Sequence, residues 1–160
     1  MKIIAKILSL CLLVSAAFFY SSCGSKNHDT DSPEKVQLSK LSKTWTLTSA
    51  KLDDVDRTSD FSGLALTVSG TYSKDGDTYT YSFTGHRPQP SPWPASGTWK
   101  FGANPATDLI RLDDTPALAL TYTVTDNSLE IKFNYPTSAA GFAGGRVEQV
   151  SGNWDFVFSK

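Results

Sequence analysis

From Lys43 to the C-terminus, apolar and polar side chains alternate in one short run after another. In DTYTYSF (77–83), Tyr79, Tyr81 and Phe83 fall on one face, with Thr78, Thr80 and Ser82 on the other. A period of two is the period of a strand, whose successive side chains point to opposite faces. The same pattern runs through KTWTLTSAKL (43–52), GLALTVSGTY (63–72), GTWKFG (97–102), DLIRL (108–112), ALALTYTVT (117–125), SLEIKFNY (128–135) and GNWDFVFS (152–159). Strands with one greasy face each must share a core. Its aromatic members are predicted to be Trp45, Tyr79, Tyr81, Phe83, Trp99, Tyr122, Phe133, Tyr135, Trp154, Phe156 and Phe158.

The links between these eight runs are mostly short. Ser73-Lys74-Asp75-Gly76 carries an Asp-Gly hairpin signal, and Asp126-Asn127 suits a two-residue turn. Short links join antiparallel neighbours, so the chain meanders. A meander of this length hides its edges by pairing its first strand with its last. The predicted fold is therefore all-β: an eight-stranded antiparallel up-and-down barrel. Two links are longer: 53–62, expected to hold a helical turn, and the glycine-rich 136–149, read as a loop or short helix. KTWTL, GTWKF and GNWDF each open a strand with Trp and place a second apolar residue two positions on. Burial of each indole contributes a few kcal/mol, and each indole N–H needs an acceptor.

The N-terminus is a different kind of sequence. MKIIAK is basic, ILSLCLLVSAAFFY is an apolar stretch of 14 residues, and SSCG follows. That order is a signal peptide, too short in its apolar part to span a membrane. The site ending in Cys23 resembles the lipobox of bacterial lipoproteins, in which the cysteine becomes the lipidated first residue. Ser21 and Ser22 fit that pattern, and Tyr20 stands where an aliphatic residue is usual. The competing reading is ordinary secretion with cleavage near Ala16 or Ala17, leaving Cys23 as a thiol. Cys11 leaves with the signal, so no internal disulfide can form. The predicted organisation is a signal peptide over 1–22, a flexible polar tether over 23–38 and a barrel domain over 39–160. After processing, 13 basic residues face 16 acidic ones, a charge of -3 that gives no reason to expect a nucleic-acid partner.

An L-x-x-x-W opening (Leu41 to Trp45), eight short strands, a final G-x-W-x-F-x-F strand and the loose lipobox together resemble the lipocalin-like lipoproteins of Bacteroidetes. The resemblance covers about residues 39–160, including SPWPASGTWKFG and RVEQVSGNWDFVFSK. Lys43 stands where ligand-carrying lipocalins have the glycine of their G-x-W. The resemblance implies a lipocalin-like barrel held by a lipid in the outer membrane, on its periplasmic or surface face. It implies no particular activity.

Chemistry is sparse. Neither His28 nor His86 belongs to a nucleophile–base–orienter pattern. Asp113-Asp114 precedes Thr115-Pro116, where a turn needs polar residues anyway. Those carboxylates are the only motive for a hydrolase. Asp54, Asp56, Thr58 and Asp60 have the oxygen spacing of a calcium loop, but Ser59 and Ala65 replace its glycine and its bidentate glutamate. GFAGG (141–145) lacks the Lys-Ser/Thr of a phosphate loop. No cofactor and no metal are expected.

GHRPQPSPWPASGTW (85–99) has proline at every second position from Pro88 to Pro94, with Trp93 between the last two. Such a link is stiff and extended. It can hold Trp93 over the barrel mouth as a plug, the favoured reading, or present it outward as a stacking platform. The ligand-binding candidates are accordingly Trp93, His86 and Arg87. The expected function is non-catalytic binding of a small apolar or glycan ligand by a monomer. The alternative is a structural or protein-interaction lipoprotein with a solid core. The aromatic volume of the inward set favours a packed centre.

Overall fold

In the computed structural model, the residues described are 31–74, 78–136 and 150–160. The signal peptide, Cys23, His28, the Asp-Gly of the hairpin loop and the glycine-rich link lie outside them. A helix, α1 (Pro33–Leu41), leads into β1 (Thr44–Leu52), a two-residue β2 (Val55–Asp56) and a 3-10 turn (Thr58–Phe61). Seven strands follow: β3 (Ala65–Ser69), β4 (Tyr79–Thr84), β5 (Ser96–Phe101), β6 (Asp108–Arg111), β7 (Leu118–Val124), β8 (Ser128–Tyr135) and β9 (Gly152–Ser159).

The predicted barrel forms. β1 and β3 to β9 pair in sequence order, all antiparallel, and β1 closes the ring on β9. β2 adds only a short lip to β1, through Lys51↔Asp56 and Leu52↔Val55. Every residue of the predicted aromatic core is buried. The alternation is clean in β4, β7 and β8. The tryptophan motifs do the same job twice over: Trp45 Nε1 donates to Leu41 O at 2.9 Å and Trp154 Nε1 to Val150 O at 2.7 Å, each four residues back. Asp126 and Asn127 make the expected tight turn, with Thr125 N donating to Ser128 O at 2.8 Å.

Two local departures have physical causes. In β1 the period slips, because the register against β9 jumps between Leu47↔Phe158 and Ser49↔Val157. The extra residue is a bulge: Trp45 and Ala50 both end up buried although an odd number of positions separates them. β1 must pair β3 at its start and β9 at its end, and the bulge bends it from one to the other. The second departure corrects the predicted tether: its last part, from Pro33 on, is helical. Ser32 accepts from Lys35 N, Pro33 occupies the first turn without a wasted donor, and Glu34 sits at the positive end of the helix. Leu38 and Leu41 are buried. They are the helix's only strongly anchored apolar residues, too few to show a helical period in a polar sequence.

The barrel thus has a helix end, where α1 and the links after β3, β5 and β7 lie, and a loop end, where the links after β1, β4 and β6 lie. Leu41 reaches the barrel interior, beside Leu66, Val68, Leu129 and Ile131. The pocket these residues share with Trp93 and Arg111 holds about 30 Å³.

Candidate functional site

At the loop end the sequence DLIRLDD breaks the rule that inward residues are apolar. The alternation that buries Leu109 also turns Arg111 inward, and Arg111 is 0% exposed. A guanidinium cannot stay buried without partners. Its NH1 donates to Pro92 O at 2.8 Å, its NH2 pairs with Asp114 Oδ2, and its Nε lies 3.2 Å from Asp113 Oδ2. Tyr81 OH donates to the same Asp113 oxygen at 2.8 Å. Gly97 on β5 makes room, since a Cβ there would come within 2.3 Å of Asp113 Oδ1 and 2.6 Å of Tyr81 OH. Both carboxylates of the suspected hydrolytic pair are therefore held by a single guanidinium.

Trp93 completes the cluster from above. The link over 85–95 does not run as an extended rod. It bends inward, and Pro90, Ser91, Pro92 and Trp93 are all buried. Ser91 Oγ accepts from Trp93 N at 3.2 Å, a local turn that competes with the extended form. The indole enters the barrel and meets Tyr81, Phe83, Phe133 and Phe156 at ring distances of 5.1–5.8 Å. The Arg111 guanidinium lies 4.8 Å from its centroid, within cation–π range. Trp93 is a plug, and the outward platform is overturned by its burial. It also differs from the three motif tryptophans, because its Nε1 has no hydrogen-bond partner among the described residues.

The other two ligand candidates do not converge with it. Arg87 NH1 donates to Trp93 O at 2.9 Å, a strut for the loop. His86 is exposed, its N–H bonded to Ser62 O and its Nδ1 3.0 Å from Asp60 O. The calcium-like spacing resolves into turn chemistry: Asp56 accepts from Thr58 N at 2.8 Å, and Asp60 pairs with Arg57 at 2.5 Å. Among the described residues, no group of three His, Cys, Asp or Glu side chains is placed to hold a metal.

Burial sets the protonation behaviour here. Desolvation raises the Asp114 pKa above its ordinary value of 3.8, and Arg111 only partly opposes this. Desolvation likewise pushes the phenols of Tyr81 and Tyr135 upward, so both stay neutral donors. The cluster closes the barrel; its polar atoms face one another rather than a cleft. A separate concavity of about 760 Å³ lies on the outer wall, across β6 to β9. Comparison with known proteins returns no matching family model, no matching curated protein and no matching solved structure.

Arg111 is the residue that strand reading passed over. Its signal was present: a cation in phase with the inward set, followed by two carboxylates two and three positions on. The outer groove had no such signal, because its residues come from separate strands.

Proposed function

We propose that this chain is a lipid-anchored cell-envelope protein, attached through Cys23, whose barrel is a solid, non-catalytic scaffold that binds through its outer surface. The observation that carries this reading is that the pocket among the inward side chains holds only about 30 Å³. Ligand pockets run to roughly 300–1,000 Å³, and a cavity this small holds about one water. Aromatic rings occupy the volume that a calyx would need, and both ends are stopped, one by Leu41 of α1 and one by Trp93 with Arg111. An apolar guest has no place to go without expelling one of them. The carboxylates that motivate hydrolysis are engaged by Arg111, which supports binding over chemistry.

Two measurements test the proposal. Titration with a fluorescent fatty acid should give no saturable signal from the barrel; saturable binding lost on filling the interior would contradict the solid scaffold. Metabolic labelling with palmitate should mark the wild type and not Cys23→Ala. Equal labelling, or none in either, would remove the anchor.

A further inference from the structure

The outer wall has a feature that packing the core does not require. β7 and β8 pair from Val124↔Leu129 to Thr121↔Lys132, and the pairing stops there. Both strands continue: Leu118 to Leu120 stay paired with β6, and Phe133 to Tyr135 with β9. Tyr122 N donates to Thr107 O, just before β6 and on its side, so by strand alternation the N–H and C=O of Ala119 face the seam. Those of Asn134, next in register after Lys132, face it from the other side. Hydrogen-bonding backbone along such a seam is a cost unless water or a ligand meets it.

The groove of about 760 Å³ lies over this seam. The short side chains of Ala119 and Thr121 line it beside the longer Ile110 and Lys132. At the end nearer the turn after β1, three polar side chains hold one another in place. Asn134 Nδ2 donates to Asn153 Oδ1 at 2.9 Å, and Asn153 Nδ2 donates to Asp53 Oδ1 at 3.0 Å. That chain fixes both amides, so Asn134 Oδ1 is left as an acceptor. Gly152 allows the arrangement, because a Cβ there would come within 2.5 Å of Asp53 Oδ2. Lys132 supplies N–H donors between its partners Glu130 and Asp155.

We propose that this groove is a binding site for a neutral, hydroxyl-rich ligand of oligosaccharide type. The proposal rests on surface binding and names where and what. Its size suits a small-molecule site. Donors and acceptors are interspersed along it, matching hydroxyls that both give and receive. Asp53, Asp54, Asp108 and Asp155 outnumber Lys132, which repels anions, while the central ammonium of Lys132 disfavours a cation. The lining exposes apolar as well as polar surface, as the two faces and the rim of a sugar ring require.

The test uses the intact protein in a non-glycosidic detergent, titrated with maltotriose, mannotriose, xylotriose and chitotriose, with spermidine as the cationic control. NMR amide shifts locate any binding. At least one trisaccharide should saturate and move the amides of 119–121 and 132–134. Asn134→Ala should weaken it about tenfold, the loss of one good hydrogen bond. Thr121→Trp, which fills the groove from an exposed position, should abolish it with the melting temperature unchanged. Four flat titrations to about 10 mM, a range that detects even millimolar affinities, overturn the site. So do shifts centred on the Trp93 loop, wild-type binding in both variants, or spermidine binding more tightly than every sugar. The fatty-acid titration separates the failures: sugars and fatty acid both silent sinks this groove alone, whereas fatty-acid binding sinks the scaffold beneath it.

Discussion

Arg111 shows what a single inward charge costs and how it is compensated. Replacing it with Met would leave Asp113 and Asp114 partly buried beside each other, with Pro92 O stripped of its donor. Breaking such a cluster from one side costs about 3–5 kcal/mol. Urea unfolding of Arg111→Met should show a loss of that order. Adding Asp113→Asn and Asp114→Asn to the same protein should recover part of it, because the uncompensated charges are then gone. No recovery would mean the ion pairs are incidental. Asp114 also gives stability a pH dependence of known sign. Its folded pKa is raised, so its contribution is full below 3.8 and is lost as pH rises through the folded value. Relative to Asp114→Asn, the wild type should lose ground as pH rises from 3.8 through the raised folded value; a constant gap would contradict this. The burial of Trp93 was legible only as one of two options. Pro-rich composition announces a stiff link, but which way its aromatic points depends on the partners waiting inside, Phe133, Phe156 and Arg111, which arrive from distant strands.

At the scale of elements, the strands were readable because each alternates against one core. The order was readable because the links are short. What escaped was whatever breaks the period. The bulge in β1 is invisible in KTWTLTSAKL, where Thr, Ser and Ala fit either face. The helix α1 escaped because a cap, a proline and two leucines in a polar segment carry almost no periodic signal. It is nonetheless structural. Leu41→Ala should cost about 2–5 kcal/mol, as for other buried leucines. Ser32→Ala should cost only about 1 kcal/mol, by fraying the first turn. Thermal unfolding followed by circular dichroism would separate the two, and equal effects would show that Leu41 does not plug the helix end.

For the whole molecule, closure and filling are one problem. Joining β1 to β9 removes the sheet edges, yet a closed barrel is open at both ends. Here a helix stops one end, a proline-rich loop stops the other, and aromatic rings occupy the volume between them. The outer groove was out of reach of the sequence because a seam between β7 and β8 is a property of strand splay, not of any run of residues. The account turns on whether the loop tryptophan is inside. With 5-fluorotryptophan in all four positions and Trp93→Phe to assign the fourth signal, 19F NMR against a soluble paramagnetic quencher measures this directly. The Trp93 resonance should be as protected as those of Trp45, Trp99 and Trp154. A Trp93 signal quenched as readily as free tryptophan would put the indole in solvent and open the barrel that the rest of the account treats as sealed.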